Sequence, residues 1–196
     1  MQYYIYSLVC FLLPGTVWLI WNKGMIADKA YKVRHIIWIY IYLFYGYLAV
    51  QEAAGIGTIW DLIAYGKLDN SINLIPFSSE GAMTYILNII MFMPLGFLLP
   101  LIWKNFRNAK KVVLMGFLMS LAIEICQLFN IRTTDIDDLL MNTLGTLVGY
   151  CCWKVFSLIF RNAGTKCVEM KKSEPVIYMF GGILGLFLLY NWRLFD

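Results

Sequence analysis

The chain has 196 residues, of which 61% are hydrophobic, 17% aromatic and only 14% charged. A soluble domain carries about 25% charged residues. Repeated stretches of about 20 apolar residues therefore point to an all-α integral membrane protein. The formal charge of +4 sits in short basic blocks between hydrophobic runs, with no basic–aromatic nucleic-acid patch, so no nucleic-acid partner is expected.

In chain order, a bundle of about six transmembrane helices is expected at 3–21, 36–54, 83–103, 112–129, 139–160 and 176–192, each long enough for roughly 30 Å of hydrocarbon at 1.5 Å per residue. The first run has no basic leader and no small-x-small cleavage site, and reads as a retained helix. The end of the second is blurred by Gln51 and Glu52. Pro14-Gly15 in the first span and Pro94-Leu-Gly96 in the third are expected to loosen or kink their helices. The segment 55–82 is too polar to span. Its amphipathic pieces 59–65 and 72–77 suit a position in the membrane interface. Nothing divides the chain, so 1–196 reads as one transmembrane domain.

Thirteen of the 16 basic residues fall in three loops on one side: Lys23, Lys29, Lys32 and Arg34; Lys104, Arg107, Lys110 and Lys111; Lys154, Arg161, Lys166, Lys171 and Lys172. The positive-inside rule makes these loops cytoplasmic. Both termini and the 55–82 and 130–138 loops are then outside.

Glu124 stands in the middle of the fourth apolar run. An ionisable group inside a span costs on the order of 2.5–3.5 kcal/mol, which marks a functional site. It lies six residues, about 9 Å, beneath the outer boundary at Asn130. Ser120 at i−4 and Gln127 at i+3 share its face. Asn88 in the third span and Asn142 in the fifth are expected at similar depth, with Asn142 on the face of Asp138. The loop carrying Arg132, Asp135 and Asp138 closes the same side. Asn142, Gly145 and Gly149 follow one another by three and four, and Gly145-x-x-x-Gly149 is a small-xxx-small pattern for close helix packing.

These residues resemble the VanZ-like membrane proteins. The resemblance is carried by Asn73-Leu-Ile-Pro-Phe77, Leu87-Asn-Ile-Ile-Met-Phe-Met-Pro-Leu-Gly96, Ser120-x-x-x-Glu124-x-x-Gln127 and Asp135-x-x-Asp138-x-x-x-Asn142-x-x-Gly145-x-x-x-Gly149, in the family's order from about 71 to 150. Residues 1–70, with the first two spans, fall outside that core, and 176–192 matches only in hydrophobicity. Arg132 fits an arginine that many members carry; Asp137 and Cys126 are not part of the pattern. The resemblance implies a bacterial membrane protein linked to glycopeptide resistance, the founding member acting against teicoplanin.

Three function classes are open. The first is a protein that binds or shields a lipid-linked cell-wall precursor, another membrane lipid, or the acyl tail of a lipoglycopeptide antibiotic, with Arg132 the natural phosphate partner. The second is an embedded enzyme acting on a lipid phosphate or glycan, with Glu124 or Asp138 as catalytic candidates and a divalent cation conceivable at Asp135, Asp137 and Asp138. The third is a lipid transporter, weakened by the lack of an inverted repeat. No nucleophile constellation or zinc spacing is present, so no metal centre or cofactor is assigned. Plainer readings accompany each residue. Glu124 with Asn88 or Asn142 can simply bond helices together; Asp135 can cap the fifth helix with Asp138 at its third position; Arg132 can pair with either aspartate. His35 reads as an interfacial residue at a basic helix end. The five cysteines, Cys10, Cys126, Cys151, Cys152 and Cys167, have no disulfide or metal spacing, and most read as small apolar filler.

Overall fold

Runs of apolar side chains in a lipid-like setting favour the helix, because a helix bonds its own backbone polar groups. A computed structural model of the protein describes residues 2–22, 24, 29–66, 72–77, 81–130, 134–160 and 171–195. The described residues form α1 (Gln2–Asn22), α2 (Lys29–Tyr47), the short α3 (Ile59–Tyr65), α4 (Ala82–Ile102), α5 (Ala109–Gln127), α6 (Ile136–Ile159) and α7 (Glu174–Leu189). The six expected apolar runs correspond to the six long helices. Both α1, through Pro14, and α4, through Pro94 and Pro100, remain continuous helices.

Three segments are long and apolar enough to cross a membrane by length and composition: Gln2–Asn22, Tyr31–Tyr65 and Ala82–Ile102. Polar residues hold the others back. Lys110, Lys111 and Glu124 interrupt α5, while Asp137, Asp138, Asn142 and Lys154 dilute α6. With 16 residues, α7 rises only about 24 Å. The blurred end of the second run is a π-helical stretch, Leu48–Ala54, closed by Gly55 in the left-handed region at φ 64°.

Helix α6 packs most closely on α4 and next on α5, while α1 pairs with α7. Glycine makes the first and last of these contacts possible. A Cβ at Gly96 would stand 1.9 Å from the Thr146 carbonyl oxygen, at Gly145 2.3 Å from that of Ile89, and at Gly149 2.0 Å from that of Met93. On the other side, a Cβ at Gly185 would lie 2.3 Å from the Cys10 carbonyl oxygen and at Gly182 2.6 Å from the Phe11 ring. Phe11, Tyr42, Leu43, Phe92, Leu95, Met119 and Tyr178 fill the interior, yet Ile5, Val9, Ile86, Ile90, Leu114, Ile125 and Leu184 face outward. A bundle apolar inside and out suits lipid.

Two expectations are corrected here. His35 is not interfacial: it is buried, and its Nε2 lies 2.8 Å from Glu174 Oε1. Glu174, 0% exposed, also accepts from Trp103 Nε1 at 3.0 Å and Tyr178 OH at 3.2 Å, so one carboxylate joins α2, α7 and the residue that closes α4. Among the cysteines, Cys10 and Cys126 are buried filler, but Cys151 and Cys152 lie exposed on α6; Cys167 lies outside the described residues.

Candidate functional site

The polar residues gather where α4 and α6 begin and α5 ends. The start of α6 is set locally. Asp135, with extended backbone (φ −124°, ψ 132°), accepts the Asp137 N–H on Oδ1 at 2.9 Å and caps the helix. This leaves Asp137 and Asp138 in the first turn, near the positive end of the helix dipole.

A strap from the 72–77 segment closes over this turn. The two-residue β1 (Ile72–Asn73) pairs in parallel with β2 (Thr134–Asp135), Ile72 opposite Thr134 and Asn73 opposite Asp135. Asn73 Nδ2 donates to Asp135 Oδ2 at 3.0 Å, and its Oδ1 accepts the Ile75 N–H at 3.1 Å. The chain then turns at Phe77, whose φ of 62° puts a non-glycine residue in the left-handed region. That turn points the Phe77 N–H at Asp137, 2.9 Å from each carboxylate oxygen, and Tyr85 OH donates to Oδ2 at 2.9 Å. Asp137 is 0% exposed.

Beneath the strap lie the groups singled out from the sequence. Glu124, 4% exposed, accepts the Asp135 N–H on Oε2 at 3.2 Å, and its backbone carbonyl accepts from Thr134 Oγ1 at 3.3 Å. Asn88 donates to Asp138 Oδ1, joining α4 to α6. Asn142, 2% exposed, donates to Ser120 Oγ at 2.9 Å, joining α6 to α5. The expected bond of Glu124 with Asn88 or Asn142 is thus replaced: both amides donate elsewhere, and the carboxylate holds the loop. Gln127 also turns away, its Nε2 donating at 3.1 Å to the carbonyl of Ala54 at the end of the π-helical stretch. Arg132 lies outside the described residues.

A second feature lies within the same helices. The side-chain carbonyl oxygens of Asn142 and Gln127 are both buried without a hydrogen-bond partner. A buried acceptor left unmade costs about 1–3 kcal/mol, so such oxygens stand ready for a donor. Sequence reasoning weighed Asp137 only as a conceivable cation ligand, and missed its hold on the strap along with Tyr85, Asn73 as a strap residue and the Phe77 turn. The signal was available in part: one helix needs one cap, and three carboxylates in Asp135-x-Asp137-Asp138 exceed it. Among the described residues, these carboxylates form no group able to hold a metal ion; they diverge to Asn73, to Phe77 and Tyr85, and to Asn88.

Comparison with known proteins gives the family. The VanZ/LLP1 family model matches residues 5–157. The chain belongs to the VanZ/LLP1 family. It is 34% identical over 134 residues to Protein VanZ of Enterococcus faecium, covering 67% of this chain and 77% of that protein. No solved structure matches. The VanZ/LLP1 match takes in α1 and α2 as well as the motif segments from 71 to 150. In this VanZ/LLP1 chain the motif residues Asn73, Asn88, Glu124, Asp135, Asp138 and Asn142 are tied to one another or to the loops between them. The carboxylates are set as acceptors for protein N–H and O–H groups. No nucleophile is held against a base among them.

Proposed function

We propose that the protein is a multi-pass bacterial membrane protein whose six long helices all cross the bilayer, with the strap side outward and the basic loops cytoplasmic. There it binds or shields a lipid-linked cell-wall component, or the lipid tail of a lipoglycopeptide such as teicoplanin, and so lowers susceptibility to that class of antibiotic. The observation that carries the binding reading is that the amide oxygens of Asn142 and Gln127 are both buried and partnerless, in helices whose loop is held by Glu124 and whose strap is held by Asp135 and Asp137. Acceptors waiting for donors suit a headgroup rich in hydroxyl and amide groups. Helix charges fit the same arrangement, since Glu124 in α5 and Asp137, Asp138 and Asn142 in α6 are polar residues of the site that sit within otherwise apolar helices. VanZ/LLP1 membership supports the cell-envelope role.

The test is expression in a glycopeptide-sensitive Gram-positive host, with teicoplanin and vancomycin susceptibility measured against an empty vector. Wild type is expected to raise the teicoplanin threshold and leave vancomycin nearly unchanged. Glu124→Gln keeps an oxygen for the Asp135 N–H and is expected to retain most of the effect. Loss of the whole effect in Glu124→Gln, at normal membrane abundance, would instead favour proton transfer by an enzyme.

A further inference from the structure

The other end of α6 carries a second site that the strap-side cluster does not explain. A cleft of about 270 Å³ opens between the loop after α4 and the last turns of α6, lined by Arg107, Tyr150, Trp153, Lys154, Ser157 and Leu158. It is smaller than the ~300–1,000 Å³ pockets that enclose whole small molecules, and is of headgroup size. Two of its walls are cationic, and none of the described residues lining it is acidic. Each cation is carried by an aromatic ring: the Arg107 guanidinium carbon lies 5.9 Å from the Trp153 ring centre, and Lys154 Nζ 6.0 Å from that of Tyr150. Tyr150 OH donates to the Arg107 carbonyl at 3.3 Å and fixes the arginine's backbone against α6. The Ser157 hydroxyl lines the same cleft.

Below the polar mouth the surface changes character. Toward the middle of α6, on the flank of the helix beside Lys154, Leu147 and Leu144 are 39% and 42% exposed and Cys151 is exposed as well. A cationic cleft opening directly onto an exposed apolar wall matches a molecule with a phosphate at one end and hydrocarbon at the other. Basic pockets between membrane helices on the cytoplasmic side take up anionic lipid headgroups on the same physical grounds. Arg107 Nε donates to the Pro100 carbonyl at 3.4 Å, so the arginine's part in the cleft is its fixed positive charge, to which lysine adds a point charge.

We propose that Arg107, Lys154 and Ser157 form a binding site for the phosphate of an anionic phospholipid, with the acyl chains lying along Cys151, Leu147 and Leu144 toward the middle of the bundle. Its assignment to the inner leaflet rests on the orientation proposed above; the cleft and its chemistry do not.

The experiment uses the full chain purified in neutral detergent, so its outcome is independent of orientation and of any antibiotic effect. Native mass spectrometry reads retained lipid after titration with phosphatidylglycerol or phosphatidylcholine. Wild type is expected to retain one phosphatidylglycerol in clear preference to phosphatidylcholine. The double variant Arg107→Gln/Lys154→Gln should weaken that retention by about 25-fold, since each juxtamembrane cation contributes about a fivefold factor. Lys154 is exposed, so Lys154→Gln alone serves where the double variant does not fold, with a loss of about fivefold. The charge-matched variant Lys110→Gln/Lys111→Gln should retain phosphatidylglycerol as wild type does. Equal weakening in that control would reduce the effect to general charge and overturn the site. Displacement of the lipid by equimolar inorganic phosphate or glycerol phosphate would make the ligand a free phosphate and overturn the lipid assignment.

Discussion

Asp137 gathers three hydrogen bonds onto one buried carboxylate, two geometries from the Phe77 N–H and one from the Tyr85 hydroxyl. Its role is to hold the strap, and through the strap the left-handed turn at Phe77. An ionised acceptor roughly doubles the strength of such bonds, and a donor left facing no acceptor carries its full desolvation cost. Asp137→Asn presents one oxygen and one NH₂ to the same two donors. It is expected to lower the stability of the detergent-purified protein by about 1–3 kcal/mol, read as a reduced unfolding temperature, and to speed proteolysis at 72–77. Asn73→Ala removes a half-buried contact at the strap's other end and should cost less. If the two variants unfold alike and neither exposes 72–77 to protease, Asp137 does not act through the strap. Glu124 differs in kind. It accepts a loop N–H from within the bundle, so Glu124→Gln should leave both unfolding and protease resistance near wild type, separating the site's framework from its proposed contact with ligand.

At the scale of elements, the tightest joint is α4 against α6, where Gly96, Gly145 and Gly149 let backbone meet backbone. A side chain at Gly149 would run into the Met93 carbonyl oxygen at 2.0 Å, and a carbonyl in a packed helix cannot swing aside. Gly149→Ala is expected to destabilise by about 3 kcal/mol, at the upper end of overpacking costs. Gly81→Ala, with nothing within 4 Å of its Cβ, should be neutral within about 0.5 kcal/mol. Comparable melting of the two variants would deny the joint its importance. Gly145-x-x-x-Gly149 could be read in the sequence because the spacing fixes a helix face. Its partner Gly96 could not, since a face does not say which helix it meets. The α1–α7 joint through Gly182 and Gly185 escaped for the same reason. The strap escaped for another: Phe77 reaches Asp137 through a backbone N–H aimed by a φ of 62°, and no side-chain type at that position encodes it.

On the whole molecule, two polar knots, one half-buried and one buried, lie near opposite ends of α4. Asn88 meets Asp138 near its start, and Trp103, just past its last turn, meets Glu174 with His35. Fifteen residues separate them, about 22 Å along the helix, so each sits one layer in from an opposite face. The first ties α4 to α6, and the second ties α2, α7 and the end of α4 on one buried acceptor. His35→Ala should cost about 3 kcal/mol, because Glu174 is left with donors on one side only. Among the described residues, Arg34, Lys104, Arg107, Lys110, Lys111, Lys154, Lys171 and Lys172 fall toward the Glu174 end, and the strap lies at the other. If the bundle spans the membrane as proposed, the two ends must face different compartments. In a chain freed of its native cysteines, Gly81→Cys should react with a membrane-impermeant maleimide in intact cells, while Lys171→Cys should react only after the membrane is opened. Gly81 and Lys171 are both exposed, so lack of reaction reflects the barrier and not burial. Reaction of Lys171→Cys in intact cells, with Gly81→Cys protected, would invert the orientation and put the Glu124 cluster on the cytoplasmic side, where no extracellular antibiotic or outer-leaflet cell-wall precursor could reach it. The antibiotic reading therefore depends on this one asymmetry, whereas the strap, the glycine joints and the phosphate cleft would keep their chemistry on either side.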